Sequence, residues 1–413
     1  MKFNNQYVII LIAFLMIAAV LYTIGGLHNG DFDNTIVYRD GDTIYAVSDG
    51  IVIFSGSDVG YVINNIDDSS ITLLGDLGTI TETINMKSGT HILFDSVVID
   101  STPNKLIFNN DNVEKIKYSG SIIISGNDIR LFEQLDSDNI KWIADTNILG
   151  STDSVLFNGW KGNNIEIANI KADNFNGDAV FMNAGNNINV HDFNLTLSGT
   201  FLSSINAIIF IHSNQPETIS NWNIEDITID GTNSGDERRV AIAVNGNRAA
   251  PWGHDITIKN IHIKNYYQDG LNVINLYNSK VNNFNYDNGA VGGIFVCSDK
   301  TIISNSKVSD TIGSGYVFGD PGCPGRSYSD FKLIDSTVIN SGEGFMAHPP
   351  EGTEVSEILI DNLNEYDNDF SIKVGADTSY GYILGYTHNI TIQNTDLNSP
   401  TYFGDKSDGI IID

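Results

Sequence analysis

From Asn163 to Ser341 the chain repeats one pattern of apolar and polar positions. A short Ile- and Val-rich strand is followed by a polar Asn or Asp turn, a second short strand, a Gly-bearing turn and a third strand. Ile165-Glu-Ile167, Ile170-Lys-Ala172 and Ala179-Val-Phe181 form one such unit, and Ile188-Asn-Val190, Phe193-Asn-Leu195 and Ile208-Ile-Phe210 the next. Ile256-Thr-Ile258, Ile261-His-Ile263 and Leu271-Asn-Val273 repeat it later, and two looser units lie around Ile358 and Ile390. The period is about 22–23 residues, stretched in places by inserted loops, which is the length of a solenoid coil. Each strand is too short to stand alone, and its alternation turns every second residue inward. Stacking coil on coil buries those Ile, Val, Leu and Phe side chains in one core and pairs the strands in parallel. Asn169, Asn260 and Asn305 recur at the first turn, where their amides would stack into a ladder. The leucine-rich consensus is absent, and propeller blades need a longer period.

The stretch 31–146 is less regular and reads as a leading or capping region, with regular coils over 147–413. On Asp58, Val62-Ile63, Ile66, Gly78, Ile80 and Gly89 it resembles the first coils of the pectate-lyase-like superfamily. The resemblance runs from about Asp58 onward. It implies an all-β fold, a right-handed single-stranded parallel β-helix, and it is poor for activity because one fold hosts many functions.

Tyr7 to Ile24, YVIILIAFLMIAAVLYTI, carries no charge and is about long enough to cross a bilayer. It reads as a transmembrane anchor or as a signal helix, so residues 1–30 are set apart as anchor or signal with a short linker. Either reading places the solenoid at the cell surface or outside the cell. The sequons at Asn194 and Asn389 would permit glycosylation there. Acidic residues number 51 against 22 Lys plus Arg, a formal charge of −29, which excludes a nucleic-acid partner. Cys297 and Cys323 stand outside any CxxC pair, so no zinc site is expected. One coil of offset makes them neighbours, and a disulfide pinning the loop from Gly319 to Asp330 is the preferred reading over two inert thiols.

The resemblance implies a polysaccharide lying along the outer face of one sheet, and therefore a site in the turns on either side of the third strand. Asp178, Asp269 and Glu343 lie just before that strand; Asn183, His212, Asn245, Asn275, Asp320 and His348 lie just after it. Arg238, Arg239, Arg248, Trp252 and His254 crowd into one insertion, followed by Tyr266 and Tyr267. An Arg fork suits a carboxylate and a Trp face suits a sugar ring. Arg239, Asp269, His348 and Asp178 are the catalytic candidates. Arg238, Arg248, Trp252, Tyr267, Asn245, Asn275 and His212 are the binding candidates. A calcium ion on turn carboxylates such as Asp178, Asp269 and Asp320 is chemically sensible, although no contiguous calcium loop is present. Similarity to polygalacturonase-like hydrolases extends to Ser151-Thr152-Asp153 and Gly177-Asp178-Ala179, but Gly253-His254-Asp255 stands in place of Gly-His-Gly and Arg-Ile-Lys is missing. Two readings stay open. One is a polysaccharide lyase, epimerase or hydrolase. The other is a non-enzymatic adhesin or envelope protein. Monomer and trimer are equally open.

Overall fold

The computed structural model describes residues 34–150, 155–199, 207–212, 219–234, 240–246, 253–266, 268–319, 327–347, 349, 352–374, 386–405 and 407–413. They form an all-β parallel solenoid of about 11 turns with almost no helix. The hydrophobic run Tyr7–Ile24 lies outside the described residues. Among the described residues no helix is long and apolar enough to cross a bilayer.

Each coil has three faces, and each face pairs in parallel with its successor. On the first face Ile165, Ile188, Trp222, Ile256 and Ser279 fall in line; on the second, Ile170, Phe193, Ile227, Ile261 and Phe284. On the third, Val180, Ile209, Ile242, Leu271 and Gly293 do so. The inward residues merge into one core that runs from Val37 to Ile392. Aromatic side chains stack along part of it, with the rings of Tyr118 and Trp142 4.6 Å apart.

The corners explain the Asn-rich composition. At the bend between first and second faces stand Asn169, Asp192, Asp226, Asn260, Asn283, Asn305, Asp335 and Asn362, all with φ between +48° and +62°. Left-handed backbone costs an ordinary L-residue roughly 1–2 kcal/mol, and Asn and Asp tolerate it best after Gly. Their side chains then stack. Asn283 Nδ2 donates to Asn260 Oδ1 at 2.9 Å, Asn260 to Asp226 at 2.9 Å, and Asn362 to Asp335 at 2.7 Å. Asn169, Asn260 and Asn305 therefore share the turn the repeat assigned them, although Asn169 directs its amide to the Ile143 carbonyl.

Two further columns have no counterpart in the sequence reading. Before the first face, Asn139, Asn164, Asn187 and Asn221 form an unbroken amide ladder with steps of 3.1, 2.9 and 3.0 Å. Between second and third faces, Asn288 donates to Asn265 and Asn340 to Asp310. In each of these rungs the later coil donates to the earlier one. Asp accepts but cannot donate, so it can end a ladder and not continue one.

The first coil is closed by a short helix, α1 (Val59–Asn64), too brief for its periodicity to show in the sequence. Asp58 caps it, accepting from the Tyr61 N–H at 3.1 Å, and reaches on to Thr81 N at 2.6 Å and Thr81 Oγ1 at 2.7 Å. One buried carboxylate thus ties the cap to the next turn. Gly78, with φ +71°, lies where the Arg39 guanidinium would strike any Cβ. Near the other end Glu365 is fully buried, yet its carboxylate is satisfied. It accepts from Asn368 Nδ2, Ser371 Oγ, Ser399 Oγ and the Asn398 and Ser399 N–H groups.

Asn260 sits in mid-ladder, so its substitutions separate backbone from side chain. Asn260→Ala should cost about 2–3 kcal/mol, through left-handed strain and lost amide bonds. Asn260→Gly should recover about 1 kcal/mol or more of that by removing the strain. Asn260→Asp sets a second carboxylate beside Asp226, and its excess cost should fade below about pH 4 as carboxylates protonate. Thermal melts at two pH values check all three; equal losses for Ala and Gly would refute the corner argument.

Candidate functional site

The third face differs from the other two in what it turns outward. Its outer positions run in two columns. Asn158, Phe181, Phe210, Ala243, Asn272, Ile294 and Val317 are in register, and beside them Trp160, Asn183, His212, Asn245, Ile274 and Val296. Trp160 is 39% exposed. Its ring lies 6.0 Å from Phe181, which lies 5.8 Å from Phe210 and 6.4 Å from His212. Phe210 and His212 stack at 5.1 Å with 14° between planes. Four rings from three successive coils make one outward patch; farther along the axis Ile274 and Ile294 are part-exposed, while Ala243, Val296 and Val317 are buried.

Amides border these rings. The Asn245 and Asn272 side-chain carbonyls are shielded from solvent and accept no hydrogen bond among the described residues. Burial alone lowers the His212 pKa, since its surroundings solvate the imidazolium poorly. Further along, Glu343 accepts from Ser314 Oγ at 2.7 Å and pairs with Lys373 at 3.3 Å.

The third face also gathers the insertions. Register shows this directly: Val180 precedes Ile188 by 8 residues, whereas Ile209 precedes Trp222 by 13, with both pairs in line coil on coil. From Ile165 onward a single left-handed residue joins first to second face and keeps that corner at constant length, so among these coils length varies beside the third sheet. Loops that vary on a rigid scaffold are where recognition concentrates.

The residues singled out from the sequence divide as follows. Asp178, Asp269 and Glu343 occupy one register line, and Ala207 and Val240 separate the first two. Three strand spacings put Asp178 and Asp269 roughly 14 Å apart along the axis. They cannot share one cation, and among the described residues no three His, Cys, Asp or Glu converge on a point that could hold one. Asp178 is wholly buried. Asp269 is half-buried, and its charge adds to burial in raising the Tyr286 pKa. His212 and Asn245 share the second outward column. Asn275 falls one residue beyond it, at a buried left-handed corner where its amide donates to the Gly246 carbonyl at 3.4 Å. Tyr266 turns inward and donates to the Val240 carbonyl at 3.0 Å. His254 stands on the first face beside Asp255. Arg238, Arg239, Arg248, Trp252, Tyr267, Asp320, Cys323 and His348 lie outside the described residues. Cys297 is fully buried at the end of its strand. A shallow cleft of about 460 Å³ lies on the second face, lined by Asp145, Asn147, Lys171, Asp192 and Asn194 among others; it presents no aromatic ring.

The sequence reading missed Trp160, Phe181, Phe210 and Asn272. It aligned Ala179, Ile208 and Ala241 with Leu271, whereas the register pairs Val180, Ile209 and Ile242 with it. That slip of one residue turns Phe181 and Phe210 from core to surface. The signal was there in another form: AVFM, AIIFI and VAIAV are continuous apolar runs. Such runs mark strands whose outer face is apolar too.

No family model and no curated protein matches the chain. Among solved structures it is similar to PfbA, a surface adhesin of Streptococcus pneumoniae, at 10% identity and TM-score 0.40, covering 81% of this chain and 85% of that one. It is similar to a hyperthermoactive exopolygalacturonase from Thermotoga maritima at 8% identity and TM-score 0.41, covering 83% and 84%. The A-module of a mannuronan C-5 epimerase from Azotobacter vinelandii matches at 8% identity and TM-score 0.35, covering 83% and 90%. The resemblance to pectate-lyase-like β-helix proteins is one of fold alone.

Burial lowers the His212 pKa, and the Phe210 ring stacked on it is part of what buries it. Its folded pKa lies below the ordinary value of about 6.5, so folding favours the neutral ring. The stability this contributes is present above about pH 6.5 and is lost as pH falls through that value toward the folded pKa. Proton NMR should place the His212 midpoint below that of an exposed histidine, and Phe210→Ala should move it back up. A midpoint above 6.5 would contradict this.

Proposed function

We propose that this chain is an exported β-solenoid that binds a polysaccharide along its third face. The outward row Trp160, Phe181, Phe210 and His212 carries the proposal. Solvent-facing positions on a sheet are ordinarily polar, and a contiguous apolar patch rimmed by polar groups marks a binding surface. Sugar rings present apolar C–H faces that stack on aromatic faces, and hydroxyls that bond amides. Asn158, part-exposed beside the rings, is the amide best placed for such a bond. An open sheet, as opposed to a closed pocket, suits a chain ligand entering at any point.

Binding is better supported than turnover. Asp178 and Asp269 are farther apart than the roughly 5–9.5 Å of a glycosidase pair. Chemistry would have to draw on Arg239, Tyr267 and His348, which the sequence sets beside the ends of the third-face strands. The net charge of −29 favours a neutral glycan. Arg238, Arg239 and Arg248 are the groups through which a uronate would be held instead.

A panel of neutral and uronate polysaccharides separates these readings. Unsaturated ends are followed by ultraviolet absorbance and reducing ends by a separate assay. We expect retained binding to a neutral glycan, and at least a tenfold loss of affinity in Trp160→Ala and in Phe181→Ala, about 1.4 kcal/mol or more, with unchanged melting. No binding across the panel, or full affinity in both variants, would refute the proposal.

Export rests on the run Tyr7–Ile24, read as a membrane anchor or a signal. An oxidising location fits a Cys297–Cys323 bridge pinning the loop beside the third face. Mass spectrometry of unreduced peptides should find the two cysteines linked; two alkylated thiols would remove the bridge.

A further inference from the structure

The chain begins its described part with a three-stranded antiparallel hairpin, Asn34–Asp40, Thr43–Ser48 and Ile51–Gly56. The first of these strands pairs in parallel with Ser70–Ile80 and so joins the solenoid, while the third pairs only with the second among the described residues. That third strand is a sheet edge, and it is apolar. Ile51, Val52 and Ile53 are 67%, 52% and 47% exposed, and Phe54 packs beside the exposed Tyr61 at 5.5 Å. Singly exposed apolar residues are ordinary, but three in succession on an unpaired edge invite association unless something covers them.

Register says where this patch lies. Val52 pairs with Val47, and Val47 with Ile36. Two antiparallel steps make the third strand run parallel to the first. Ile51–Ile53 therefore stands about 10 Å, two strand spacings, from Thr35–Val37, at the end where the chain arrives from residue 33. Only the nine residues Gly25 to Asp33 separate that end from the hydrophobic run Tyr7–Ile24. Fully extended they reach about 30 Å. Whatever membrane holds the run is within reach of the patch.

We infer that Ile51, Val52 and Ile53 dock into the outer surface of the bilayer that holds Tyr7–Ile24, so that the solenoid stands on its N-terminal cap. The inference rests on the anchor reading of that run. The turn leading into this end of the edge carries Asp49, and the linker that arrives beside it carries Asp31 and Asp33. Carboxylates at the interface are repelled by anionic headgroups, so the lipid recognised is zwitterionic.

The test replaces Val52 with a photoreactive diazirine residue in the full chain, reconstituted in phosphatidylcholine vesicles. Illumination should give a lipid adduct at this position and none when the same residue replaces the exposed Tyr366. The adduct should diminish when phosphatidylserine is added, and should be lost in Ile51→Ser with Ile53→Ser while melting stays unchanged. Adducts to residues 7–24 or to a second copy, or no adduct while the chain withstands an alkaline wash, would overturn the docking and leave the anchor standing. Release of the chain by that wash would overturn both.

Discussion

A solenoid must turn three corners in every coil, and here the backbone turns them through left-handed residues. An L-residue with a Cβ resists that conformation, and Asn and Asp resist it least. Most non-glycine residues with positive φ in this chain are accordingly Asn or Asp. Because coils stack in register, the same corner recurs directly above itself, and the side chains that permit the bend meet their own kind. The amide ladders are thus a consequence of the corner, and they add hydrogen bonds along the axis that the sheets alone would lack. Part of the acidic excess has the same origin. Asp supplies the bend as well as Asn does, but Asn must follow it if the ladder is to continue.

From Ile165 onward the described corners hold the first two faces at constant length, so growth of these coils falls at the edges of the third. The same sheet turns aromatic and aliphatic side chains outward. These two features reinforce one another: a rigid apolar platform needs no loop of its own, and loops at its borders can change without disturbing the stack. Trp160, Phe181, Phe210 and His212 occupy backbone positions set by ladder hydrogen bonds from the coils on either side. That is the preorganisation a flat binding surface requires.

The two ends of the molecule follow a different logic. At the N-terminal end Asp58 and α1 seal the core, while the strand Ile51–Gly56 beside them is apolar and, among the described residues, has no partner on its outer edge. Near the C-terminal end the buried Glu365 gathers five donors from two coils. Replacing such a carboxylate would strand those donors, so the group holds its coils in register as well as in contact. At both ends one carboxylate gathers several donors, because its two oxygens accept more hydrogen bonds than a single amide carbonyl.

The sequence alone determined the repeat, the parallel stacking and the identity of one corner column. These rest on local rules: alternation sets strand faces, and Asn at a recurring offset marks the bend. It also placed Asp178, Asp269 and Glu343 on one line, since in-register coils preserve offsets. Only the tertiary structure decided the phase of the third strands. AVFM and AIIFI are apolar at every position, so a period of two has nothing to lock onto, and either set could face the core. Hydrogen-bond register with the next coil chose Val180 and Ile209 for the inside. That choice put Phe181 and Phe210 outside, and with them the surface on which the proposed function depends.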